Sequence, residues 1–246
     1  MRLLVSVANG DEATAALAGG ADIIDAKDPA AGPLGAVTID VLREIARTVK
    51  VRAAHDPARL LTAALGDAVD EDAVERAACA AAAAGAKLVK LGLAGIPGAA
   101  RAAALLRAAG RGAHAGSRGG CGVVAVAYAD ADDVASLDAD DLLDAAAAAG
   151  AAGALLDTAN KNGRGLRGLL SQQALSRWVA RAHQAGLMAA VAGRLEIDDL
   201  EFVRGAGADV AGVRGAACDG GRTGRISYDK VCALRRALAD ARYGVP

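Results

Sequence analysis

Short apolar runs alternate along this chain with stretches of helical period rich in Ala, Leu and Arg, and turn residues separate them. Most runs are apolar at every position, which is typical of strands in a parallel sheet covered by helices, because neither face meets water. The pattern predicts eight strands, over residues 3–7, 22–26, 60–65, 88–92, 122–127, 153–157, 187–192 and 209–213. The chain is therefore expected to repeat a strand–helix unit eight times.

Eight strand–helix units predict a single (β/α)8 barrel domain spanning residues 1–246. Helix starts support this organisation, since Thr38 can cap a helix over residues 39–48 and Ser227 can cap one over residues 228–242. An open doubly wound sheet is the alternative fold. It is disfavoured because no GxGxxG follows the first strand and the chain has no GxxxxGK[ST].

Composition narrows the class of partner. A hydrophobic fraction of 54% suits a large core, and the net charge is −1 without a basic block or interleaved aromatics. We therefore expect a small-molecule partner, with no nucleic acid and no membrane. The first apolar run is too short for a signal peptide, so a cytoplasmic location is expected. The Ala-rich helices would permit close subunit packing, which favours a homo-oligomer.

The four cysteines suggest neither a disulfide framework nor a zinc site. They are widely separated, with no CxxC and no nearby pair of histidines. We therefore expect no metal, and we interpret these residues as reduced thiols: Cys79, Cys121, Cys218 and Cys232.

Lysine placement is the strongest functional signal. Only six of the 28 basic residues are lysines, and Lys27, Lys90 and Lys161 lie at or near the ends of predicted strands. A lysine can lose its proton when it is desolvated or close to another cation, whereas arginine stays charged. Reactive groups of a (β/α)8 barrel lie at the carboxyl ends of its strands. The sequence therefore predicts amine chemistry at that end of the barrel.

Two aspartates accompany these lysines. Asp25 and Lys27 point to the same side of the second strand, because strand side chains alternate. Asp157 ends the sixth strand, and Lys161 follows in the next loop. These five residues can converge on one pocket; the alternative is that each lysine is solvated or forms a structural ion pair.

A phosphate site is predicted beside the lysines. Loops after the seventh and eighth strands of such barrels often hold phosphate through backbone N–H groups, and here they contain many small residues. The predicted phosphate-binding residues are Gly193, Arg194, Arg214, Gly215 and Ala216. Arg222 and Arg225 could add positive charge nearby. Ordinary turn chemistry is the alternative, but together with the lysines these loops suggest a phosphorylated carbonyl substrate.

Four motifs resemble those of the (5-formylfuran-3-yl)methyl phosphate synthase family, also called 4-(hydroxymethyl)-2-furancarboxaldehyde-phosphate synthase. The resemblance runs almost from end to end, and the motifs are DIIDAKDPAAGPLGA (22–36), KLGLAG (90–95), LLDTANKNG (155–163) and GVRGAAC (212–218). It implies a barrel like those of class I aldolases, which joins two molecules of glyceraldehyde 3-phosphate into a furan aldehyde phosphate. It also implies that no metal or organic cofactor takes part.

The same resemblance implies a role for each charged residue. Lys27, in DAK, corresponds to the Schiff-base lysine of the family, and Lys90, in KLG, to its proton-accepting lysine. Asp25, Asp157 and Lys161 match its other charged pocket positions. Two other functions stay open at this point: a different class I aldolase acting on a phosphorylated aldehyde or sugar, and a non-catalytic phosphate-binding barrel.

Overall fold

The fold is a closed barrel of eight parallel strands, each hydrogen-bonded to the next in chain order. The computed structural model describes residues 1–53 and 59–240. The barrel strands are β1 (Arg2–Val7), β2 (Ile23–Ala26), β3 (Leu60–Asp67), β4 (Leu88–Gly92), β5 (Gly122–Tyr128), β6 (Gly153–Asp157), β7 (Met188–Val191) and β8 (Val210–Val213). Every predicted strand is confirmed. The open-sheet alternative is wrong, because β1 also pairs with β8, from Arg2 beside Val210 to Val5 beside Val213.

Nine α-helices lie within the described ranges, most of them between consecutive strands. They are α1 (Gly10–Ala18), α2 (Ile39–Ala53), α3 (Glu71–Ala83), α4 (Ala99–Ser117), α5 (Ala139–Ala148), α6 (Leu166–Leu169), α7 (Gln172–Gln184), α8 (Leu200–Gly205) and α9 (Tyr228–Asp240). Helices α2 and α9 begin where predicted, and the Thr38 hydroxyl accepts a hydrogen bond from the Val41 N–H at 3.4 Å. Helix α2 is longer than predicted, and the predicted end of α9 at residue 242 lies outside the described residues.

Two apolar layers stabilise the barrel. The smaller one fills its interior and includes Leu4, Ile23 and Val126. The larger one lies between the strands and the surrounding helices, where Trp178 is buried. Because strand side chains alternate, each barrel strand contributes to both layers. The interior layer becomes polar toward the carboxyl ends of the strands, and this change positions the site described below.

Helices α3 and α4 pack backbone against backbone. A Cβ atom at Gly112 would lie 2.0 Å from the Glu75 carbonyl oxygen, and one at Gly116 would lie 2.2 Å from that of Cys79. Only glycine fits at these two positions, which are one helical turn apart. The small residues of α3 and α4 thus bring these helices together. None of the described helices is long and apolar enough to cross a membrane.

A short antiparallel hairpin follows β8. Its strands are β9 (Cys218–Asp219) and β10 (Arg225–Ile226), and its tip contains Gly221 and Arg222. Both tip residues line the cavity at the carboxyl end of the barrel. The hairpin therefore forms part of the rim of that cavity.

Candidate active site

The charged residues predicted from the sequence meet at a cavity of about 260 Å³ at the carboxyl ends of the strands. Lys27, Lys90, Asp157 and Lys161 all line it. Asp25 is fully buried directly behind the wall of this cavity, where it binds Lys90. The structure thus brings the five residues together, although the chemical role of each remains a prediction.

Asp25 is the centre of a buried hydrogen-bond network. Its Oδ2 atom accepts from Ser6 Oγ at 2.8 Å and from Lys90 Nζ at 2.6 Å, and its Oδ1 atom accepts from Thr62 Oγ1 at 2.7 Å. The strand register explains the geometry, because Asp25 on β2 lies beside Ser6 on β1 and beside Thr62 on β3. Three donors of this kind hold the carboxylate in one orientation.

Asp157 and Lys161 form the second ion pair, with Nζ 2.6 Å from Oδ1. The same carboxylate oxygen accepts the Thr158 N–H at 2.8 Å. Burial alone would raise the pKa of Asp157, but the ammonium groups of Lys161 and Lys27 hold this pKa below its ordinary value. Asp157 is therefore a carboxylate at neutral pH.

The loop that carries Lys161 is tied to the end of β5 by Asp130. One carboxylate oxygen of Asp130 accepts the Ala159 N–H at 2.7 Å, and the other accepts the Asn160 N–H at 2.8 Å. These bonds orient the backbone immediately before Lys161. Asp130 is a positioning residue that the sequence did not reveal.

Lys27 differs from the other two lysines of the cavity. Within the described part of the chain, its amine makes no hydrogen bond and no ion pair, whereas Lys90 and Lys161 each bind an aspartate. Burial, and then the positive charge of Lys90, lower the pKa of Lys27 from 10.5 to about 8, although Asp157 and Asp25 partly oppose this shift. About a tenth of this amine is neutral at pH 7. The cavity therefore contains one unpaired amine that can act as a nucleophile.

The predicted phosphate-binding residues lie beside the lysines. Gly193, Arg194 and Gly215 line the cavity, and Ala216 lies one residue further along a 3-10 turn. Gly193 and Arg194 both have positive φ, at 104° and 57°. The exposed Arg194 guanidinium makes no ion pair with any described residue, so it is available to an anionic substrate.

Arg214 has a different role from that of an anion-binding side chain. All five of its N–H groups are used: Nε donates to Arg222 O at 2.7 Å, Nη1 to Ser6 O at 2.9 Å and Glu12 Oε2 at 2.8 Å, and Nη2 to Glu12 Oε1 at 3.2 Å and Gly224 O at 3.1 Å. The guanidinium of Arg214 is therefore not available to a phosphate, and a contact through the backbone N–H groups of these loops stays a prediction.

Arg222 and Arg225 are the two further arginines from which added positive charge is expected. Arg222 lines the cavity, but its guanidinium donates to Pro29 O at 2.5 Å and Gly32 O at 2.7 Å, which joins the hairpin to the loop after Lys27. Arg225 lies on β10, is exposed, and does not line the cavity. Of the arginines after β7 and β8, Arg194 therefore has the guanidinium that is free to bind substrate.

Besides Asp130, sequence reasoning missed three polar residues of this region, namely Ser6, Thr62 and Glu12. Ser6 had a readable signal, because it follows Leu4 with strand periodicity and so places a hydroxyl at an inward position near the end of β1. Thr62 occupies a similar position on β3. Glu12 lies on α1 and gave no such signal. No group of three or more His, Cys, Asp or Glu side chains suited to a metal ion was found among residues 1–53 and 59–240.

Comparisons with known proteins agree with the motifs. Residues 3–235 match the family model described as 4-HFC-P synthase. The (5-formylfuran-3-yl)methyl phosphate synthase of Methanopyrus kandleri is 40% identical over 241 residues, which cover 97% of this chain and 99% of that relative. The protein of the same name from Methanothermobacter thermautotrophicus is 37% identical over 241 residues, with the same coverage of 97% and 99%.

A solved structure supports the fold. The KGPDC of Streptococcus mutans superposes with a TM-score of 0.64 at 16% identity, covering 97% of each chain. Such a likeness shows the (β/α)8 barrel alone. The family itself is shown by the sequence match over nearly the whole chain, and this chain therefore belongs to the 4-HFC-P synthase family.

Proposed function

We propose that this protein condenses two molecules of glyceraldehyde 3-phosphate, through a Schiff base on Lys27, into (5-formylfuran-3-yl)methyl phosphate with loss of phosphate and water. The product is the one in the names of its relatives. The observation that carries the mechanism is the unpaired Lys27 amine, which lies in a cavity where the other lysines are held by carboxylates.

The chemistry needs a neutral amine and several proton carriers. Neutral Lys27 attacks the carbonyl carbon of one aldehyde, and loss of water gives an iminium ion. The iminium acidifies the adjacent C–H, a base removes that proton, and the resulting enamine adds to the second aldehyde. Ring closure, release of phosphate and dehydration require further proton transfers. Lys90 and Lys161, each held by an aspartate, lie within the same cavity and are the proposed carriers.

The phosphate groups of the substrates require cationic or N–H partners. The free Arg194 guanidinium and the backbone N–H groups of Gly193 and Gly215 belong to the loops after β7 and β8, which form part of the wall of the same cavity. This arrangement supports a phosphorylated aldehyde over an uncharged one.

The test is incubation of the purified protein with glyceraldehyde 3-phosphate, with and without borohydride. We expect the ultraviolet absorbance of a furan aldehyde and a reduced adduct on the peptide that contains Lys27. Lys27→Arg should abolish both signals, because a guanidinium stays protonated. Lys87→Arg is the matched control, since Lys87 is an exposed lysine just before β4 and outside the cavity.

Two results would overturn the proposal in different ways. An adduct on Lys27 without the furan absorbance would favour another class I aldolase that acts on a phosphorylated aldehyde or sugar. Neither signal from correctly folded protein would favour a phosphate-binding barrel without catalytic activity.

A further inference from the structure

The cavity presents one hydroxyl group whose partner is a carboxylate hidden from the substrate. Ser6 lines the cavity, and its Oγ atom donates to Asp25 Oδ2 at 2.8 Å. We propose that Ser6 is a catalytic residue that carries protons between the substrate and the buried carboxylate of Asp25. This inference rests on the proposed function and adds a residue to it.

Asp25 has no direct route to the substrate. Its exposed fraction is 0%, and it is not among the residues that line the cavity. Its carboxylate oxygens are occupied by Ser6, Thr62 and Lys90. Of these three partners, Ser6 and Lys90 also line the cavity, whereas Thr62 does not. A proton passing between substrate and Asp25 must therefore travel through Ser6 or Lys90.

Ser6 is held in the orientation that such a transfer requires. Its carbonyl oxygen accepts the Arg214 Nη1–H at 2.9 Å, and Arg214 in turn binds Glu12. The side chain is fixed at its other end by Asp25. Because the Oγ–H bond points to the carboxylate, the lone pairs of Oγ are left for a donor in the cavity.

The proposed step consists of two linked proton transfers, which together move one proton from the substrate to Asp25 and no net electrons. A substrate hydroxyl gives its proton to Ser6 Oγ, and the electron pair of the broken O–H bond stays on the substrate oxygen. At the same time Ser6 Oγ gives its own proton to Asp25 Oδ2. Serine ends as a hydroxyl and Asp25 as a carboxylic acid. The reverse transfer returns the proton to a leaving hydroxyl group during dehydration.

Thr62 supplies a matched control for this proposal. Ser6 and Thr62 both donate to Asp25 at similar distances, 2.8 Å and 2.7 Å, so each deletion removes one hydrogen bond from the same carboxylate. Only Ser6 of these two connects that carboxylate to the cavity. The test uses the variants Ser6→Ala, Ser6→Thr and Thr62→Val. For each variant, kcat and KM for furan formation, the yield of trapped Lys27 adduct and the thermal stability are to be measured.

We expect Ser6→Ala to lower kcat by about 100-fold, which is the lower end of the contribution of general acid–base groups. Its KM and its Lys27 adduct should change little, because the nucleophile is unaffected. Ser6→Thr should restore most of the activity. Thr62→Val should lower kcat much less than Ser6→Ala does, because it removes one hydrogen bond from Asp25 but leaves the path from that carboxylate to the cavity intact. If Ser6→Ala does not fold, Ser6→Gly removes the same hydroxyl group and gives the same comparison.

An equal loss of kcat in Ser6→Ala and Thr62→Val would overturn the proposed proton relay through Ser6, since both hydroxyl groups would then only orient Asp25. An unchanged kcat in Ser6→Ala would overturn it as well. Failure of the unaltered protein to form the furan would instead refute the proposed function, and the relay with it. The two failures are thus distinguishable.

Discussion

Arg214 donates to both carboxylate oxygens of Glu12, at 2.8 Å and 3.2 Å, and both side chains are buried. The pair joins α1 to the loop after β8. Glu12 also accepts the Ala8 N–H at 2.7 Å, so it links the end of β1 to the same network. The paired charges thereby stabilise three segments at the rim of the cavity.

Glu12→Gln should destabilise the protein strongly. The change leaves the Arg214 charge buried without its counter-ion, and removal of one partner from such a pair costs about 3–5 kcal/mol. Urea unfolding measures the free energy of unfolding. Glu71→Gln is the control, because Glu71 pairs with Arg101 at the surface, where the expected cost is below about 1 kcal/mol. Equal costs for both variants would contradict this interpretation of Arg214.

Schiff-base formation should follow the titration of Lys27. Because burial and Lys90 lower the pKa of Lys27 to about 8, the neutral fraction rises about tenfold per pH unit below pH 8 and levels off above it. The rate of trapping with cyanoborohydride at low substrate concentration, between about pH 6.5 and 9.5, measures this dependence. A rate that keeps rising to the top of that range would show an amine with an ordinary lysine pKa.

Removal of the buried amine should stabilise the fold at neutral pH. The pKa of Lys27 is about 8 in the folded protein and 10.5 ordinarily, so the unfolded chain binds more protons between these values and stability rises with pH there. Lys27→Met should therefore raise the free energy of unfolding at pH 7 by about 3 kcal/mol, and the gain should shrink as pH increases from 8 to 10.5. Lys87→Met, at an exposed position, is the control for the effect of the substitution itself.

The barrel was readable from the sequence because local patterns determine it. Each strand is a short apolar run bounded by turn residues, and closure follows from repeating the unit eight times. The positions of Lys27, Asp25 and Asp157 could be predicted from the sequence too. Side chains alternate along each strand, and the parallel strands all place their carboxyl ends on the same side of the barrel.

Which charged side chains form ion pairs with one another could not be predicted from the sequence in the same way. Which lysine stays free depends on distances between strands: Lys90 on β4 reaches Asp25 on β2, across the intervening β3. Glu12 lies 202 residues from Arg214 in the chain, and no local pattern relates them. Such contacts are set by register and packing, whereas sequence periodicity reports only which face a residue occupies.

Arg194 should separate substrate binding from stability. It is a non-glycine residue with φ of 57°, a left-handed conformation that costs free energy, and its guanidinium is free at the cavity. Arg194→Gly should therefore raise the free energy of unfolding by about 1 kcal/mol, because glycine relieves the strain. It should also raise KM about tenfold, because a charged hydrogen bond to phosphate is lost. Arg118→Gly is the control: Arg118 has φ of 54° at the end of α4 and does not line the cavity. Arg118→Gly should gain similar stability with an unchanged KM. A rise in KM in Arg118→Gly, or an unchanged KM in Arg194→Gly, would contradict the role of Arg194 in substrate binding.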